Sequence, residues 1–120
     1  MTDRTVTLAT LDHGDITVPE PSWCAGHANH VPQYLIDLTH YGPEEQLLFR
    51  GQPLWTLVLG QGPFSSIPRY ERTGLHVEQG GLSKTFVPAG LEELADALVE
   101  HAAILRHRAR ELAVLLREGQ

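Results

Sequence analysis

The sequence predicts an α+β domain: a small antiparallel sheet, a metal-type loop, and a long C-terminal helix packed on one face of the sheet. Three observations point there. Apolar residues recur with period two, broken by turn residues, as far as residue 87, the pattern of half-buried strands. Cysteine, histidine and aspartate crowd a single stretch between residues 24 and 40. Beyond Pro88 the period becomes helical and holds to Glu118. With 120 residues the chain makes one domain, 1–120, because domains commonly run to about 100–200 residues. Its 42% hydrophobic and 20% charged residues suffice for a modest core without disulfides.

Residues 1–18 are read as N-terminal strands. Val6, Leu8 and Thr10 alternate with Thr5, Thr7 and Ala9; His13-Gly14-Asp15 is turn chemistry; Ile16 and Val18 continue a second strand that Pro19 and Pro21 stop. Residues 19–43 form the Cys/His loop, with a helical turn expected near Pro32–His40. Residues 44–87 are read as antiparallel strands. Gln46–Arg50 is short, Gly51-Gln52-Pro53 turns, and Leu54–Leu59 is apolar on both faces, as a central strand would be. Ser65–Tyr70 carries Pro68 and is demoted to an edge or a bulge. Leu75–Gln79 and Leu82–Val87 flank Gly80-Gly81, a two-residue hairpin signal because both positions accept positive φ. Gly60-Gln61-Gly62 is no phosphate loop, since neither a helix nor a lysine follows it.

The long helix is expected over residues 90–118. Glu92, Glu93 and Asp96 sit near its start, and Arg106, Arg108, Arg110 and Arg117 near its end, which complements the helix dipole. Leu91, Ala95, Leu98, Ala102, Leu105, Ala109, Leu112 and Leu116 follow a four–three spacing, a heptad seam of alternating large and small residues. Leu94, Val99, Ala103, Ala113 and Leu115 widen the stripe toward the face expected to cover the sheet. About 28 residues span roughly 42 Å, whereas a compact domain of this length is about 35 Å across. Part of the helix should overhang. Two copies packed antiparallel would set acid beside base and leucine opposite alanine, so a homodimer crossing near Ala102–Leu105 is expected.

The window from Trp23 to His40 carries the chemistry. It holds the only cysteine and three of the seven histidines: Cys24, His27, His30 and His40, with Asp37 among them. Thiolate and imidazole together suit a borderline-soft divalent ion, zinc above all. Cys24 and His27 are separated by two residues, and the twelve residues between His27 and His40 fall within the range over which zinc modules bridge ligand pairs. Cys24, His27 and His40 are the expected core ligands; Asp37, His30 or water could take the fourth position. Asp37 stands three residues before His40 and would share its face if the segment were helical. Four protein ligands would make a closed structural site, and three plus water an open one. Two other readings use the same residues. Cys24 could be a buried hydrophobe among loop histidines, or a thiol nucleophile with His40 or His27 as base and Asp37 as its orienter. Trp23 is read as a core residue, and His13 and His76 as turn and strand-surface residues.

Trp23-Cys24-x-x-His27, Asp37-x-x-His40 and the later run Val87–Leu98 resemble an uncharacterised family of small actinomycete proteins, defined as a domain of unknown function. Eight arginines to one lysine suit such genomes. The resemblance covers roughly residues 19 to 104 and implies Cys24, His27, Asp37 and His40 as signature positions. It implies no activity, and it leaves the helix beyond residue 104 as this sequence's own.

Met1–Thr5 runs into the first strand without a charged n-region or an apolar h-region, so no secretory leader is expected, and the longest apolar run is too short to span a bilayer. One cysteine makes no intramolecular disulfide, and a thiol ligand is best kept reduced, so the expected location is the cytoplasm. A net charge of −6 argues against a general nucleic-acid surface. The expected function is a small zinc-type metal-binding protein acting through protein–protein contact. The alternatives are a metal- or Cys-dependent enzyme at the same cluster, and a transcription-linked DNA-binding regulator using the arginine-bearing end of the helix.

Overall fold

The computed structural model describes residues 4–119. The lead-in Met1–Asp3, read above for the lack of a leader, lies outside the described residues, as does Gln120. The architecture is α+β, with a small antiparallel sheet and a long C-terminal helix.

Strands β1 (Thr5–Ala9) and β2 (Asp15–Pro19) pair antiparallel as a hairpin of their own. Their period-two pattern works as sequence alternation dictates. Leu8 and Val18 are buried against Leu38, with Val6 and Ile16 alongside, while on the opposite face the hydroxyls of Thr7 and Thr17 meet at 2.7 Å. Gly14 turns the chain at φ 62°, and the Thr10 N–H and Oγ1 both donate to its carbonyl.

The main sheet is built on β5 (Gln52–Gln61). On one edge β5 pairs with β6 (Gly74–Gln79). Its other edge is shared by β4 (Glu45–Phe49) and the two-residue β3 (His40–Tyr41). Leu57, Val58 and Leu59 are buried in succession, so both faces of β5 are covered and the strand is central as expected. The β4–β5 turn falls at Arg50-Gly51, both at positive φ (50° and 78°), one residue earlier than the sequence indicated. Pro53 belongs to β5 instead, beside the register shift between Leu47 and Leu48, where a missing N–H is tolerated.

Two sequence expectations need correction. Ser65–Tyr70 is not an edge strand: Pro68 opens a one-turn helix, α1 (Pro68–Glu71), because its fixed φ suits the first helical position. Gly80-Gly81 makes no hairpin, and Leu82–Val87 forms no strand. Gly80 serves a close approach: its N–H donates to the Leu54 carbonyl at 2.7 Å, and a Cβ there would lie 2.1 Å from the Pro53 oxygen. Residues beyond it leave the sheet toward Phe86, which packs on Phe49 with ring centroids 6.0 Å apart.

Helix α2 runs Pro88–Arg117, with Pro88 inside its first turn rather than ahead of it. Burial follows Gly90, Leu94, Ala97, His101, Ile104 and Arg108, one line at helical spacing. That line is fastened to the β4 region at three points: Glu93 pairs with Arg50, the His101 Nε2 lies 3.0 Å from the Leu48 carbonyl, and Arg108 reaches Glu45 at 3.4 Å. The sheet-facing stripe is thus narrower than the sequence suggested. Val99 is 72% exposed, and Ala103 and Ala113 also face outward. The molecule measures 58 × 29 × 25 Å with a radius of gyration of 17.8 Å, well above the roughly 14 Å of a compact chain of this length, as an overhanging helix requires. No helix among the described residues is long and apolar enough to cross a membrane.

Candidate metal centre

Three side chains, Cys24, His27 and His40, meet where the N-terminal hairpin, the following loop and β3 come together, and Glu20 stands beside His27. Glu20 follows β2 directly, its N–H donating to the Arg4 carbonyl at 2.9 Å, so its place is fixed by the hairpin ladder. Cys24 closes a turn on the Pro21 carbonyl, and Ala25 donates to Tyr41, which fastens the loop to β3. Gly26, at φ 99°, bends the chain so that its N–H points back at the Cys24 Sγ, 3.4 Å away. His27 follows on the same turn, and the His30 N–H donates to its carbonyl. His40 begins β3, paired with Gln61, and is 1% exposed.

The ligand-type atoms of Cys24, His27 and His40 all lie within 4.8 Å of one another. His27 Nε2 stands 3.5 Å from Cys24 Sγ, 3.2 Å from His40 Nδ1 and 3.6 Å from Glu20 Oε1. One imidazole nitrogen has either one proton or one lone pair to offer. It can satisfy one of these neighbours, not three. A cation at their centre accepts a lone pair from each. With Zn–S near 2.3 Å and Zn–N near 2.0–2.1 Å, the edges of a tetrahedron about zinc come to roughly 3.3–3.6 Å. Of the two cluster distances from His27, that to Cys24 (3.5 Å) falls within this range and that to His40 (3.2 Å) just below it.

The protonation of His40 agrees with a ligand role, and that of Cys24 requires the ion itself. Burial pushes the His40 imidazolium down, with the neighbouring His27 charge adding to it and Glu20 opposing, so His40 is held in the neutral, ligating form. Burial likewise pushes the Cys24 thiol up, the Gly26 N–H opposes, and Glu20 adds to the rise. A thiol nucleophile needs the opposite shift. A bound cation would supply the missing positive charge and deprotonate the thiol.

Asp37 and His30 stand elsewhere. The expected helical turn shrinks to a 3₁₀ turn, Leu35–Asp37, and Leu38 leaves it in extended conformation (φ −63°, ψ 127°). From there side chains alternate: Leu38 and His40 turn inward, while Asp37 and Tyr41 are exposed. Asp37 is therefore outside the cluster, and it lines a groove of about 670 Å³ with Tyr41, Arg69 and Tyr70. His30 approaches the His27 ring edge-on, but its Nε2 lies 2.9 Å from the Ala9 carbonyl, to which it donates. Glu20 is the residue sequence reasoning missed. It stands between Pro19 and Pro21, the two residues read as the strand stop, and has no role of its own in the sequence reading; an acidic residue four before Cys24 is the available signal.

No curated protein and no solved structure matches the chain. A family match covers residues 5–114, taking in the N-terminal hairpin, the Cys/His loop, the sheet and most of α2. It is wider than the 19–104 anticipated, so the helix from residue 105 to 114 is not peculiar to this sequence. By that match the chain belongs to the family described as Domain of unknown function (DUF6907).

Proposed function

We propose that this domain is a zinc-binding protein module in which Cys24, His27 and His40 hold the ion and the protein works through contact with another protein. One observation carries the reading: His27 Nε2 faces both Cys24 Sγ and His40 Nδ1 at or just below the separations of a tetrahedron's edges. Mixed sulfur and nitrogen donors favour zinc over calcium or magnesium, which take oxygen. The centre ties loop to sheet and is nearly closed to solvent, which supports a structural role over turnover. A reducing compartment such as the cytoplasm suits its single thiol ligand.

The contact surface we propose is the outer seam of α2, and the partner a second copy. Leu91, Ala95 and Leu98 of that seam are exposed, and the seam runs beside the sheet-facing line rather than on it. Glu92, Asp96 and Glu100 lie on the first half and Arg106, Arg110 and Arg117 on the second, so an antiparallel pair sets opposite charges together. The DNA-binding alternative loses support, because Arg108 is engaged by Glu45 and Glu111 and only a thin basic stripe is left.

Elemental analysis of protein purified without a histidine tag tests the metal reading. One equivalent of zinc is expected, with a melting temperature that falls on chelation, since the ion binds only the folded state. Protein without stoichiometric metal, whose melting is indifferent to chelator, overturns it.

A further inference from the structure

We propose that Glu20 is the fourth ligand, through Oε1, and that the ion it completes fastens the N-terminal hairpin to the main sheet. This rests on the metal reading above and goes one step further, to the identity of the remaining donor.

Glu20 is only 8% exposed, yet its Oε1 makes no hydrogen bond of ordinary length among the described residues: its neighbours are the prospective ligands themselves, His27 Nε2 at 3.6 Å and the Cys24 thiol. A buried carboxylate oxygen left without a partner is costly, and native proteins rarely keep one. Its other oxygen is held: Arg4 Nε meets Oε2 at 3.1 Å. The same arginine donates to the Pro21 carbonyl at 3.2 Å and the Cys24 carbonyl at 3.5 Å. Arg4 therefore clamps one carboxylate oxygen and the loop backbone together. The second oxygen is left directed at His27 Nε2, 3.6 Å away, close to the edge length the other two ligand pairs show.

Charge selects the same residue. A thiolate, two neutral imidazoles and water would leave one net positive charge around a zinc ion in a buried site. Replacing that water by the Glu20 carboxylate brings the ion and its ligands to zero, the cheaper state where solvent is scarce, and leaves the positive charge of Arg4 outside them on a half-exposed side chain. Four protein ligands also leave no position for an activated water, so the centre is closed. Its ligands come from three places: Glu20 from the end of the hairpin, Cys24 and His27 from the loop, and His40 from the edge of the main sheet. The two sheets share no strand pairing, and the ion becomes a cross-link between them.

Cobalt(II) titration of the full chain tests this, read by visible absorption. The wild type is expected to bind one equivalent with a thiolate-to-cobalt band, and adding azide should leave the spectrum unchanged, because no exchangeable water is present. Glu20→Gln should bind about tenfold more weakly or worse, since even outer-shell losses cost 10–100-fold, and its spectrum should now respond to azide. A wild-type spectrum that shifts with azide, a reading that needs no variant to fold, overturns the Glu20 assignment while leaving the three-ligand centre standing. So does a Glu20→Gln affinity within twofold of wild type. A wild type that binds no cobalt overturns both.

Discussion

The Glu20–Tyr41 segment and helix α2 solve opposite problems. The segment has almost no regular structure, only a 3₁₀ turn and a two-residue strand, and its backbone is fixed by polar atoms. Leu11 donates to Gln33, Leu35 to the Asp12 carboxylate, Ala25 to Tyr41, and the buried ends of Cys24, His27 and His40 converge. The helix has 30 regular residues whose internal hydrogen bonds need no outside help, and only Gly90 and His101 are fully buried. A loop of that kind holds its shape when every polar group has a partner. A helix of that kind can stand off its sheet and offer a face to something else. Metal-type side chains therefore converge in the irregular segment, while the regular one leaves apolar residues such as Leu91 and Leu98 exposed.

The largest effect should come from the loop side. His40→Ala removes a ring that is 1% exposed and one of the proposed ligands, and should cost about 2–5 kcal/mol, as large-to-small changes in a core do. Denaturant unfolding of zinc-loaded protein should show it as a lower midpoint. A loss below about 1 kcal/mol, within the range of an ordinary surface change, would mean that the loop holds without the ion.

Next comes the frame that both regions share. Gly80→Ala drives a Cβ against the Pro53 carbonyl and should cost about 1–3 kcal/mol. Gly81→Ala meets nothing within 4 Å and should be close to neutral. Equal losses at the two positions would contradict the close-approach account and favour a turn requirement shared by both glycines.

On the helix side the effect should fall on assembly rather than stability. Leu98 is 45% exposed, so Leu98→Glu should leave the melting temperature of dilute monomer within a degree or two, about what a few tenths of a kcal/mol produce. It should still abolish the dimer in sedimentation at tens of micromolar. A wild type already monomeric at that concentration would show that the seam is not a self-association surface.

Smallest of all should be the acid response, which rests on two carboxylates: Asp12, which accepts from the segment's Leu35 N–H, and Glu93 on the helix. Asp12 is held below its usual value by the Leu35 N–H first and His13 second, and Glu93 by the Arg50 guanidinium. A carboxyl lowered in the folded state adds stability above its unfolded pKa, near 4, and that contribution is lost as pH falls through the folded value. Asp12→Asn and Glu93→Gln should each flatten slightly the decline of melting temperature below about pH 4. Unchanged acid profiles for both variants would remove these contacts from the account.

Much of this was legible from residue types, and what was missed has physical reasons. Cys24, His27 and His40 stood out because thiol and imidazole are scarce and their spacing suits an ion. Asp37 was misplaced because three-residue spacing implies a shared face only on a helix, and the turn ends at Asp37 itself. Glu20 escaped because its neighbours Pro19 and Pro21 explain a strand end without it; only three-dimensional pairing shows its orphaned oxygen. The central β5 was readable from its run of apolar residues, whereas Gly80 conveys close approach in space and not a local turn. The helix showed its length and seam, but which line faces the sheet was set by Arg50, Leu48 and Glu45 on another strand.

The central claim is that the loop is organised around one metal ion. Native mass spectrometry of the tag-free full chain tests it most directly. The account predicts a folded species heavier than the polypeptide by one zinc per chain, with Cys24→Ser losing that increment. A folded wild type at the mass of the bare polypeptide, still showing sharp cooperative unfolding, would contradict it.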